Sequence, residues 1–92
     1  MDTQHRQKVV RRLKSIEGHI RGIERMVEAD TYCIDVLKQT NAVQRAIDKV
    51  NALIMQQHLD ACVTTAMRGT DAKERQRVIG EIVDVFEMSS KI

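Results

Sequence analysis

The chain has 92 residues, 42% of them hydrophobic, with one Tyr, one Phe, no Trp, no Pro and a net charge of +2. This length allows one small domain. No apolar run is long enough for a transmembrane span or a signal-peptide core, so no membrane partner is expected and the cytoplasm is the expected compartment.

A core of Ile, Val, Leu, Met and Ala without proline suits an all-helical fold. So short a chain, folded as a few long helices, buries little core by itself, and association would supply the rest. Residues 1–25 carry seven Lys or Arg against three Asp or Glu, while the remainder is slightly acidic. A basic helix on a nearly neutral body is either a polyanion-facing surface or a solvated helix face.

Residues 1–4 are expected to fray, with Asp2 or Thr3 as a cap. Val9, Leu13, Ile16, Ile20, Ile23 and Val27 then recur at alternating steps of four and three. That spacing predicts a first helix over about 3–28 with a heptad-like stripe. Gly18 and Gly22 share one face of it, where another helix could approach closely. Ala29, Asp30 and Thr31 form a short turn, and Asp30 or Thr31 can cap the next helix. So short a connection makes the two helices antiparallel.

The second helix is expected over about 31–67, because Val36, Leu37, Val43, Ile47, Val50 and Ile54 keep helical spacing without Gly or Pro. Arg68, Gly69 and Thr70 end it, with Gly69 suited to the position just past its end. Asp71 and Glu74 resemble a capping box for a shorter third helix over about 71–88. Its apolar face carries Val78, Ile79, Ile82, Val83 and Phe86, and the tail from Ser89 is expected to be loose. The whole chain, 1–92, reads as a single domain with no internal repeat.

The second helix carries both cysteines, Cys33 and Cys62, and His58 one turn before the latter. His58 and Cys62 share a face, where an imidazole and a thiolate can hold a metal together. Cys33 lies 29 positions before Cys62. A continuous helix would separate them by roughly 43 Å at ~1.5 Å per residue. If all three residues serve one site, Cys33 comes from a second copy, with two antiparallel helices related by a dyad near Ile47. Two thiolates and one nitrogen suit Cu(I), whereas zinc usually takes a fourth ligand and hard ions prefer oxygen. The plain alternative is two small buried cysteines and an incidental histidine.

The run Arg12-Leu13-Lys14-Ser15-Ile16-Glu17-Gly18-His19-Ile20-Arg21-Gly22-Ile23 resembles the first-helix signature of the copper-sensing operon repressors, the CsoR/RcnR family. Asp30-Thr31-Tyr32-Cys33-Ile34-Asp35-Val36-Leu37-Lys38-Gln39 is similar to that family's second-helix start, and His58-Leu59-Asp60-Ala61-Cys62 to its metal-binding turn. The resemblance covers nearly the whole chain. It implies a three-helix, all-α subunit: a long antiparallel helix hairpin plus a short third helix. It further implies an antiparallel dimer that assembles into a dimer-of-dimers homotetramer.

The resemblance also implies a transcriptional repressor rather than an enzyme, whose apo form binds operator DNA and whose Cu(I) form releases it. Cys33, His58 and Cys62 match the copper branch's trigonal ligands, the first from one subunit and the others from its neighbour. Tyr32 and Glu81 match the supporting residues that would hold the histidine ring and link the site to the third helix. Arg12, Lys14 and Lys49 match DNA-binding positions, with Arg11, Arg21 and Arg45 as further basic candidates. Lys49 stands where arginine is common, which exchanges a bidentate contact for a point charge.

Branches of the family sense different effectors. Nickel and cobalt sensors add a histidine near the N-terminus, and His5 here lies one turn beyond that place. Aldehyde sensors lack the second cysteine, and persulfide sensors lack the histidine. His19 is not a ligand in the copper branch and reads as a helix-face residue. The alternatives are therefore a same-fold repressor responding to Ni(II), Co(II), an aldehyde or a sulfur species, or a copper storage or transfer protein that does not bind DNA.

Overall fold

The computed structural model describes residues 2–90, with Cys62, Ser89 and Ser90 described in backbone only. The fold is all-α: α1 spans Thr3–Glu28, α2 Cys33–His58, a π-helical turn Leu59–Val63, α3 Thr64–Arg68 and α4 Ala72–Ser90. Packing divides the chain into two compact units, Met1–Met55 and Gln56–Ile92.

The first unit is a hairpin of α1 against the greater part of α2. Its core is Val9 and Ile16 from α1 with Val43 and Val50 from α2, and Ile23, Ala46 and Leu53 pack against it. The residues come from the heptad-like stripe, but one chain buries only half of that stripe. Leu13, Ile20 and Val27 stay exposed, and so do Leu37, Ile47 and Ile54 of α2. Leu13 at 46% and Ile47 at 41% exposure are too open for core positions. A row of large apolar side chains left in water on both helices is what a further helical partner would cover.

Helix boundaries follow their capping chemistry. Asp2 caps α1 by accepting the His5 backbone N–H at 2.7 Å, so the first turn is formed where fraying was expected. At the other end of α1, Asp30 adopts φ 55°. Its N–H donates to Val27 O at 3.1 Å, and the Thr31 N–H donates to Met26 O at 2.9 Å. These two bonds make a Schellman motif, with aspartate in the left-handed position that glycine usually fills. Asp30 therefore ends α1, which corrects the expectation that it caps α2. The second helix starts later than residue 31, at Cys33, and the Tyr32 carbonyl accepts its first bonds from Asp35 and Val36.

Nothing in the chain approaches Gly18 within 4 Å of where a Cβ would sit, and Gly22 meets only the Arg25 side chain at 3.8 Å. The two glycines do not mediate close packing within the chain.

In the second unit the helical backbone is interrupted where the sequence predicted an unbroken helix to residue 67. The Thr64 N–H reaches back five residues to Leu59 O, which widens the turn to π geometry. The Thr64 hydroxyl donates to the same carbonyl at 2.7 Å, and the Thr65 hydroxyl donates to Ala61 O at 2.9 Å. Side-chain bonds of this kind compete with the regular ladder and stabilise the wider turn. Gly69 ends α3 in an extended conformation, φ −74°, rather than in the left-handed one. Asp71 caps α4 by accepting from Lys73 N at 3.0 Å and Glu74 N at 3.3 Å. Glu74 does not complete a capping box; its carboxylate turns forward to Arg77. Val63 and Val78 are the buried apolar residues of this unit, and α4 runs on to Ser90. Any looseness of the last two residues lies outside the described residues.

Candidate metal centre and nucleic-acid interface

Cys33 is the first residue of α2 and His58 is the last. Cys33 is an exposed free thiol. His58 is half-buried and leads directly into the π turn that carries the Cys62 backbone. The side chain of Cys62 lies outside the described residues. Among the described residues, no three His, Cys, Asp or Glu side chains gather into a metal-binding group. The donor set itself fits Cu(I): two soft sulfurs and one imidazole, with no hard oxygen ligand needed.

The two candidate supporting residues are placed differently. Tyr32 is 68% exposed in the turn before α2 and is not packed. Glu81 lies on α4, where the Arg77 guanidinium bonds to it and also grips Glu74. The bond from Arg77 holds the Glu74 carboxyl below its ordinary range, and Glu74 in turn raises the Arg77 guanidinium. Arg77 is thus a direct partner of Glu81 that sequence reasoning missed. The i, i+3 and i+4 spacing of Glu74, Arg77 and Glu81 was the available signal.

The basic candidates separate into two groups. Arg12 of α1 and Arg45 and Lys49 of α2 line one groove of about 290 Å³, with Ser15, Ile16, Ala42 and Ala46 as its other walls. The hairpin brings together cations that are more than thirty positions apart, and no acidic side chain lines the groove. Arg21 instead pairs with Glu17 on its own helix at 2.9 Å. Lys14 and Arg11 are exposed on α1 and do not line that groove. A second, larger cleft of about 510 Å³ is apolar, with Ile20, Ile23, Val27 and Val43 in its walls.

The histidines outside the motif are both used inside the hairpin. His5 Nε2 lies 2.7 Å from Leu53 O, and His19 Nε2 lies 2.7 Å from Gln39 Oε1. Both acceptors are carbonyl oxygens, so each ring donates through Nε2–H. The equal step from His5 to His19 and from Leu53 back to Gln39 fixes the antiparallel register of α1 on α2.

The sequence profile described as the metal-sensitive transcriptional repressor family matches residues 5–88. The copper-sensing transcriptional repressor CsoR of Bacillus subtilis (strain 168) is 38% identical over 89 residues, which are 97% of this chain and 85% of that protein. The crystal structure of the copper-sensing repressor CsoR with Cu(I) from Geobacillus thermodenitrificans superposes with a TM-score of 0.88 at 33% identity, covering 99% of this chain and 92% of that one. The nickel-responsive transcriptional regulator InrS superposes with a TM-score of 0.76 at 40% identity, covering 87% of this chain and 90% of that one.

Proposed function

The chain belongs to the metal-sensitive transcriptional repressor family, and from that premise we propose that it is a cytoplasmic Cu(I)-responsive repressor of operator DNA. The observation that carries this reading is the division of labour within the chain. Cys33 opens α2 and His58 closes it, and a separate groove of three cations faces outward from the hairpin.

Cys33, His58 and Cys62 hold Cu(I), the cysteine of one subunit completing the pair on its neighbour. Placing Cys33 first and His58 last on one helix is what a site shared by two antiparallel copies requires. The exposed halves of the α1 and α2 stripes supply the apolar surface for the dimer and for its assembly into a tetramer. Both compact units then serve one sensing and DNA-binding domain. Tyr32 supports the ligand set, and Glu81 connects it to α4.

Arg12, Arg45 and Lys49 grip DNA phosphates, with Lys14, Arg11 and Arg21 adding charge around the groove. Phosphate contacts of this kind position the protein, and binding weakens steeply with salt. Cu(I) favours an assembly geometry with lower DNA affinity, and by reciprocity DNA weakens copper binding by the same factor.

The test is fluorescence anisotropy on the DNA upstream of the chain's own gene, first metal-free and then with one Cu(I) per subunit, without oxygen. Release by Cu(I) corresponding to a weakening of about 5- to 150-fold is expected. Cys33→Ala should abolish the release while leaving apo binding. Unchanged affinity at saturating Cu(I) overturns the reading. DNA binding with no metal response in any form would leave a repressor of another effector, and absence of DNA binding would favour copper storage or transfer.

The 40% identity to a nickel-responsive regulator favours Ni(II) as the second reading. The bond from His5 to Leu53 O speaks against it, because that ring's Nε2 is already engaged within the hairpin. Square-planar Ni(II) bands in the visible spectrum, together with release by Ni(II) and not by Cu(I), would decide for nickel.

A further inference from the structure

The repressor reading leaves His19 and Gln39 without a task, although they form one of the two side-chain bonds that cross the hairpin at histidine. Their position is informative. On α1, Arg12, Ser15 and His19 are spaced by three and four, so they share one face. On α2, Gln39, Ala42, Ala46 and Lys49 do the same. Five of these residues line the basic groove, and the His19–Gln39 pair continues both of its walls by one turn.

The chemistry of the pair is asymmetric. The Gln39 oxygen is taken up by the His19 Nε2–H at 2.7 Å, so the amide N–H₂ is what Gln39 still offers. The neutral His19 ring has Nδ1 as an acceptor. The protonated ring keeps the bond to Gln39 and turns Nδ1 into a second donor with a full charge. Arg12, Arg45 and Lys49 carry their charge throughout the neutral range, whereas histidine changes charge between pH 5 and 8. The charged groups on the two helices nearest the pair are Arg12 and the mutually bonded Glu17 and Arg21 on α1. On α2 they are Asp35, one turn before Gln39, then Lys38, Arg45 and Lys49. A phosphate placed among the groove's cations accepts the new donor and favours the charged ring.

We infer that the His19–Gln39 pair is the end of the DNA-facing groove, that protonated His19 contacts a backbone phosphate, and that operator binding therefore takes up a proton. The inference rests on the repressor reading and specifies how its DNA site is regulated. Linkage then requires DNA affinity to rise as pH falls.

The experiment uses the full-length, metal-free chain and a fluorescein-labelled duplex carrying the DNA upstream of its own gene. Anisotropy is measured over a range of salt at about pH 6 and about pH 8, which bracket the ordinary histidine range. The wild-type chain should gain at least ~3-fold in affinity from the higher to the lower pH, and its salt slope should steepen by about 0.9 for each His19 engaged. His19→Gln, which can still bond Gln39 but cannot charge, should lose both effects. Circular dichroism establishes that the variant keeps its helices. A pH step and salt slope in His19→Gln equal to those of the wild type overturn the inference and leave the repressor reading intact. Failure of the wild type to bind the duplex at either pH overturns the repressor reading as well.

Discussion

The imidazole of His5, in the first turn of α1, donates through Nε2 to the Leu53 carbonyl of α2 at 2.7 Å. This contact joins the basic N-terminal turn to the stretch of α2 that precedes His58, and it makes His5 a structural residue of the hairpin. Replacing it with phenylalanine keeps the ring's bulk and removes the donor. His5→Phe should destabilise the metal-free chain by about 1 kcal/mol in chemical denaturation, the usual net worth of such a bond. Copper stoichiometry should be unaffected. A variant of undiminished stability would mean that the contact contributes nothing, and a changed nickel spectrum would restore His5 as a ligand candidate.

The left-handed backbone of Asp30 gives a second prediction. With φ at 55°, this position disfavours a Cβ, and aspartate tolerates it only better than most residues. Asp30→Gly should raise stability by about 0.5 kcal/mol, and Asp30→Val should lower it by about 1–2 kcal/mol. Melting temperatures that rank valine above glycine would show that the Schellman turn is not what ends α1.

Ile47 sits 41% exposed at the centre of α2, on the half of the stripe that the hairpin does not bury. Introducing a charge there leaves the subunit core of Val9, Ile16, Val43 and Val50 untouched. On the proposed assembly, Ile47→Lys should keep the helical circular dichroism and reduce the sedimenting species to a single chain. A particle of unchanged size would place the interface elsewhere.

Arg77 lowers the Glu74 carboxyl, chiefly through the hydrogen bond between them. A carboxyl lowered in the folded state contributes stability above its unfolded value and loses it as pH falls through the folded value. The Glu74–Arg77 contribution should therefore be complete at neutral pH and vanish in acid, below the ordinary carboxylate range. In Arg77→Gln, a carbon-detected NMR titration should find Glu74 returned upward. A Glu74 titration unmoved by the substitution would refute the pairing. The same variant releases Glu81, so its effect on copper-dependent DNA release reports whether Arg77 competes for that residue.

Much of this architecture was legible in the residues. The steps of three and four in Val9 to Val27 and in Val43 to Ile54 define the two long helices, because burial along one face demands that period. Asp2 and Asp71 announced helix starts through their short acceptor side chains. The spacing of His58 and Cys62 and the distance of Cys33 from them raise a site shared with a second copy as an expectation, which the single chain leaves as a proposal. The tertiary structure decided what period cannot express. It chose which half of each stripe is core, since a heptad row marks an apolar surface without saying which partner covers it. It gathered Arg12, Arg45 and Lys49 into one groove, because the hairpin register pairs residues that no local rule relates. It set Asp30 in the left-handed turn and opened a π turn at Leu59–Val63, where threonine hydroxyls compete for carbonyls that a regular helix would use. Residue types carry the candidate chemistry, and packing alone sets which of those residues stand side by side, as Arg12, Arg45 and Lys49 do in their groove.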